Sequence, residues 1–114
     1  MNQKERQRYI YFKIIKENEK EITKNSLLKS IWQSIWRYFG LKEANKIGLW
    51  LLELNMDEDY GIIRCSHLTK ETIISAISLV KEIEGVKVIL SPFKTSGTIS
   101  SLKKRINKKN RYTI

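Results

Sequence analysis

Residues 8–16, RYIYFKIIK, alternate: Ile10, Phe12 and Ile14 point one way, and Tyr9, Tyr11 and Lys13 point the other. With their β-branched and aromatic content, these residues predict a strand. From Thr23 the period becomes helical. Leu28, Ile31, Trp32, Ile35 and Phe39 recur at the i, i+3, i+4, i+7 spacing as far as Phe39. Thr23 or Asn25 can cap the start of this helix and Gly40 can end it. Trp36 and Tyr38 widen its apolar arc beyond one stripe, so a second neighbour or a partner protein must cover it. A short polar helix is expected near Lys42 to Lys46. GLWLLELNM (48–56) reads as a second strand, DEDYG as a turn, and YGIIRCSH as a third strand hairpinned to the second.

Thr69 then caps a second helix over Lys70 to Glu84, with Ile73, Ala76, Ile77, Val80 and Ile83 as its stripe and Gly85 as its stop. Val86 to Phe93 is a fourth strand. Pro92 has no N–H to give to a neighbour, so this strand belongs at a sheet edge. From Thr98 the chain turns helical again, with one narrow stripe of Ile99, Leu102 and Ile106. The order is therefore β-α-β-β-α-β with a basic appendix. It predicts an α+β, ferredoxin-like sandwich of the RNA-recognition-motif type, with strand order 4-1-3-2. With 114 residues the chain makes one domain, a core over 1–97 and a basic helix and tail over 98–114.

Charge sharpens the picture. The net charge is +10, but residues 41–61 are acidic, while residues 94–114 hold seven Lys/Arg and no acid. Such a segment suits a polyanion, because each phosphate neutralised releases condensed counterions. Its cations Lys103, Lys104, Arg105, Lys108, Lys109 and Arg111 follow Thr95-Ser96-Gly97-Thr98, where Ser96 or Thr98 can cap the helix and Gly97 can take a positive φ. Free N–H groups at a helix start also bind phosphate. One cysteine, Cys65, excludes an internal disulfide and fits a reducing, cytoplasmic setting. No apolar run reaches the roughly 20 residues of a membrane helix, and no membrane association is expected.

No catalytic set emerges. His67 stands at a strand end without a nucleophile or metal-ligand spacing and is read as a rim residue. Cys65 is in phase with Ile63 and is read as core. Asp57, Glu58 and Asp59 lack the spacing of a calcium loop and are read as a solvated turn. The second sheet face carries Tyr9, Tyr11 and Lys13 on strand one and Ile62 and Arg64 on strand three. It also carries Leu51 and Glu53 on strand two and Ile89 and Phe93 on strand four. Tyr9 and Tyr11 sit where RNA recognition motifs stack bases, yet the apolar residues suit a covered face better, beneath the C-terminal helix or a partner protein.

Three segments together resemble one family. Arg6-Gln7-Arg8-Tyr9-Ile10 opens strand one, Gly61-Ile62-Ile63-Arg64-Cys65-Ser66-His67 forms strand three, and Ser96-Gly97-Thr98-Ile99 precedes the Lys/Arg-rich helix. In this order they resemble the archaeal ribonuclease P protein component 2 family, which has a eukaryotic relative in ribonuclease P and MRP. The resemblance implies an RNA-recognition-motif-like sandwich that is non-catalytic by itself. It implies a subunit of the endoribonuclease that removes the 5′ leader from precursor tRNA, with the chemistry done by the RNA and its magnesium. The implied partners are ribonuclease P RNA, precursor tRNA, ribonuclease P protein component 3 (possible as a two-plus-two assembly) and the other ribonuclease P proteins. No cofactor is expected on the protein. The expected RNA contacts are Arg6, Arg8, Arg64, Ser96, Gly97, Thr98 and the six cations of the last helix. Trp32, Trp36 and Tyr38 are the expected protein interface, on the strength of the wide apolar arc alone. Two rival functions remain: a stand-alone module binding single-stranded RNA through Tyr9 and Tyr11, and a small-molecule-binding ferredoxin-like domain.

Overall fold

The computed structural model describes residues 6–112, with side chains as far as Ile106. β1 (Gln7–Lys16) is followed by α1 (Lys24–Ala44), β2 (Leu49–Asn55) and β3 (Tyr60–Ser66). Then come α2 (Lys70–Ser78), β4 (Glu82–Ile83), β5 (Val86–Ser96) and α3 (Ile99–Tyr112). The strands form one antiparallel sheet in the order β2-β3-β1-β5-β4. The four long strands thus lie in the predicted order, and the fold is the expected α+β, ferredoxin-like arrangement. On its outer side β5 pairs with β4 at Val86 and Lys87, and the Val88 N–H bonds the Lys81 carbonyl at 3.0 Å; among the described residues no strand pairs with it beyond that, so Pro92 does lie on a free edge.

α1 and α2 cover one face of the sheet. Leu27, Ile31, Ile35, Ile73, Ala76 and Ile77 pack onto Ile10, Phe12, Ile14, Ile63, Cys65 and Leu90. The buried Ser34 hydroxyl donates to the Ala76 carbonyl at 2.7 Å and ties the two helices together. Thr23 is the cap that α1 uses: its Oγ1 accepts the Ser26 N–H at 3.1 Å. Gly40 breaks the helix with a φ of 86°, and a short turn of helix resumes behind it, close to the expected polar piece.

The second helix is shorter than its periodicity suggests. α2 stops at Ser78, and Ile83 pairs with Val86 in a hairpin. Glu84 (φ 48°) and Gly85 (φ 82°) make its two-residue turn, so Gly85 is a hairpin glycine and not a helix stop. Val80 and Ile83 stay buried all the same; a turn followed by a strand edge buries positions three apart as well as a helix does. Thr69 stands at the start of α2 but makes no side-chain cap, its hydroxyl bonding the Ser66 carbonyl instead.

Two bulges change which side chains share a face. Between Leu51 and Glu53 the β2–β3 register slips by one, leaving Leu52 unmatched. Leu51 therefore packs on the core with Ile63, not on the second face where alternation places it. Trp50, opposite Arg64, takes that face instead. A second slip, between Tyr11 and Phe12, carries the β1–β5 register from Lys94 to Pro92, and Phe93 packs on the second face as expected.

Phe12 lies opposite Gly61, its ring filling the space where a side chain would be. A Cβ on Gly61 would lie 2.9 Å from the ring's Cε1 and closer still to Cζ. We predict that Gly61→Ala lowers stability by about 1–3 kcal/mol through this overlap. Adding Phe12→Leu should recover part of that loss in urea unfolding. Strictly additive losses would show that the ring does not set the requirement for glycine.

Candidate nucleic-acid interface

α3 covers the middle of the sheet's second face and leaves Trp50 and Ile89 exposed on it. Leu102 is fully buried against Tyr11 (6% exposed) and Ile62, and Tyr9, Tyr60, Phe93, Ile99 and Ile106 close around them. The stripe of Ile99, Leu102 and Ile106 thus meets the apolar face that the alternation left over. Tyr11 rests its ring against Tyr60 and Phe93 at 5.2 and 6.1 Å between centroids. Burial pushes its hydroxyl pKa up.

The turn into α3 is held locally. Thr98 is the cap: its Oγ1 accepts the Ser101 N–H at 3.1 Å, and Leu102 N–H bonds the Thr98 carbonyl. Ser96 is buried and its Oγ accepts the Thr98 N–H at 3.3 Å, so it shapes the turn. Gly97 passes beside Arg8, whose Nη1 would lie 3.5 Å from a Cβ there.

A polar clamp fixes the helix sideways. Glu53 accepts the Tyr60 hydroxyl and pairs with Lys103 Nζ at 3.2 Å. The Tyr60 hydrogen bond, then Lys103, hold the Glu53 carboxyl below its usual range. The same bond, with burial, pushes Tyr60 up to about 12. Arg105 donates to the Thr95 carbonyl at 3.1 Å.

The predicted cations therefore differ in freedom. Lys104 is exposed, whereas Lys103 is engaged by Glu53 and Arg105 is partly engaged by Thr95. Arg6 is exposed at the start of β1, where its N–H bonds His67 Nδ1 at 3.0 Å. Arg8 bonds the Gln7 carbonyl. Arg64 lies over the Trp50 ring, 4.7 Å from its centroid. The backbone of α3 runs on through Lys108, Lys109 and Arg111, whose side chains lie outside the described residues. Arg64, Lys103, Lys104 and Arg105 thus gather on or beside the second face, while Arg6 stands at the end of β1.

Trp32, Trp36 and Tyr38 do not form one patch. Trp32 packs partly on the core and, with the 53%-exposed Trp36, lines a groove of about 640 Å³ bordered by Lys29, Gln33, Ala44 and Asn45. Tyr38 lines a different depression, between α1 and the segment from Leu79 to Glu82. Sequence reasoning missed Trp50 on the sheet. The unbroken apolar run GLWLL, which cannot alternate, was the signal that a bulge would decide its side.

Cys65 is buried in the core, as read, and burial pushes its thiol up to about 11, which makes it a poor nucleophile. His67 follows the end of β3 and the acidic turn precedes its start, so the strand separates them by about 20 Å. A pocket shared by His67 and the acidic turn, which the small-molecule reading needs, is therefore ruled out. Among the described residues no group of three His, Cys, Asp or Glu could hold a metal ion, and no helix is long and apolar enough to cross a membrane.

Fold and face together define a class: a ferredoxin-like α+β sandwich with a basic helix docked across the middle of its second sheet face. The sequence model of the Rpp14/Pop5 family matches residues 8–107, and the chain belongs to that family. It is 33% identical over 102 residues to ribonuclease P protein component 2 of Pyrococcus furiosus, covering 90% of this chain and 83% of the relative. The corresponding protein of Archaeoglobus fulgidus is 34% identical over 100 residues, covering 88% and 87%. A chain in a cryo-EM structure of yeast ribonuclease MRP shares the fold, with a TM-score of 0.70 at 16% identity over 97% of this chain and 96% of that one.

The clamp has a pH signature. Because its folded pKa is lowered, Glu53 contributes stability above its usual 4.5 and loses it as pH falls through the folded value. Tyr60, raised to about 12, contributes fully below 10 and loses its share as pH climbs from 10 towards 12. Glu53→Gln should therefore melt below the wild type at neutral pH, with the gap closing at both extremes. A gap that stays constant with pH would show that the carboxylate is not the holding group.

Proposed function

We propose that this chain is a non-catalytic protein subunit of archaeal ribonuclease P, supporting the RNA that removes the 5′ leader from precursor tRNA. The observation that carries the reading is α3, a helix free of acids, capped at Thr98 and held on the sheet by Leu102, with Lys104 presented to solvent. Membership of the Rpp14/Pop5 family and likeness to archaeal ribonuclease P proteins support it. Cleavage belongs to the RNA and its magnesium; the protein lowers phosphate repulsion where the RNA folds on itself. A docked helix does this with less loss of entropy on binding than a free arm.

The partners on this reading are ribonuclease P RNA, precursor tRNA and the other ribonuclease P proteins in the cytoplasm. Component 3 is one of these proteins, in a two-plus-two assembly. The groove of Trp32 and Trp36 is the surface we assign to protein contact, since it lies on the helical layer, away from α3. The alternative, an open sheet stacking bases on Tyr9 and Tyr11, loses its support because α3 covers Tyr11.

Reconstitution tests the reading. Ribonuclease P RNA with its partner proteins should cleave precursor tRNA at limiting magnesium faster with this chain than without it. Lys104→Glu should weaken RNA binding and flatten the plot of log affinity against log salt, by about one unit of slope for each phosphate no longer neutralised. Cleavage that ignores the chain at every magnesium concentration would reject the assignment.

A further inference from the structure

At the end of the sheet where α3 begins, one row of side chains crosses four strands on the second face: Ser96, Tyr9, Arg64 and Trp50. Leu102 and its neighbours cover the next row, of Tyr11 and Ile62, and leave Trp50 51% exposed. Arg64 stacks over that ring at 4.7 Å. Its Nε is buried with no hydrogen-bond partner, and among the described residues it makes no ion pair. So an exposed indole lies beside a guanidinium that no carboxylate among the described residues engages.

The surroundings state the charge of what fits. Residues 6–16, 45–52, 61–70 and 94–106, from the strands and turns around this row, contain no aspartate or glutamate, and Glu53, farther along β2 on the same face, is already engaged by Tyr60 and Lys103. An acidic or polyanionic ligand meets no repulsion there, and a cationic one finds no partner. The ligand should combine a flat π-face for Trp50 with an anionic oxygen for Arg64, and a nucleotide unit has both.

We propose that Trp50 and Arg64 form a stacking site for one unpaired base of the RNA, with Trp50 taking the base and Arg64 its flanking phosphate. The proposal rests on the RNA-binding reading above and adds to it a contact that is not purely electrostatic. It also places the aromatic platform on the outer strand β2, and not on the central strands that α3 covers. The site follows from the bulge at Leu52, which turns Trp50 out of the core.

The test uses the full chain carrying Trp32→Phe and Trp36→Phe, which leaves Trp50 as its one tryptophan. Ribonuclease P RNA should quench Trp50 fluorescence, whereas heparin, a polyanion without bases, should bind and leave the fluorescence nearly unchanged. In the wild-type background, Trp50→Ala should weaken RNA binding about five- to 150-fold, the range of 1–3 kcal/mol per stacked base, with the salt slope unaltered. Trp50→Phe should retain most of the affinity. Arg64→Gln should lower both the affinity and the slope, the slope by about one unit.

If Trp50→Ala does not fold, the single-tryptophan quenching and Arg64→Gln decide the matter. Equal quenching by heparin, or a Trp50 signal that answers partner proteins and not RNA, would overturn the stacking site while leaving the RNA reading intact. If the unaltered chain has no affinity for the RNA, both fall.

Discussion

A sheet whose two faces are both apolar at the centre must cover that centre on each side, and this constraint organises the whole molecule. α1 and α2 settle the first face in the usual way of β-α-β units. The second face carries Tyr11 and Ile62 on its two central strands, and among the described residues α3 is the element that covers them. Burying Leu102 there is favourable by about 1.5–3 kcal/mol from its own side chain, and the rings around it add to this. The basic helix is therefore anchored by its few apolar residues, and its charge is carried on the side left over.

This arrangement explains how a short lysine-rich segment becomes a structural element. A free basic arm must lose its conformational freedom when it meets RNA. Docked by Leu102, capped by Thr98 and clamped through Glu53, α3 has given up much of that freedom in the folded protein. The clamp also divides labour among cations that look alike in sequence. Lys103 holds the helix to β2, while Lys104 remains exposed. Contacts to other proteins are assigned to the opposite layer, where Trp36 is exposed on α1, so RNA and protein need not compete for one surface.

Much of this was legible in the chain because periodicity is a local property. The strand at 8–16, the helix from Thr23 with its break at Gly40, and the edge position of Pro92 all follow from neighbours within a few residues. So does the stripe of Ile99, Leu102 and Ile106. The acid-free composition from Lys94 onward needs no fold to be read. These features determined the α+β class, the order of the long strands, the basic character of the last helix and the expectation of a polyanionic partner.

Tertiary structure decided whatever depends on a neighbouring strand. The bulges at Leu52 and Phe93 arise from pairing between strands, so alternation along one strand could not place Leu51 in the core or Trp50 outside it. The stripe through Val80 and Ile83 fits both a longer helix and a turn leading to a hairpin, and only the pairing of Ile83 with Val86 chooses between them. The engagement of Lys103 by Glu53 depends on where α3 crosses β2, across 50 residues of chain. The sequence by itself determined which segments are apolar or basic and at what period. Which cation is free and which aromatic ring is exposed came from packing, because both are set by contacts between segments far apart in the chain.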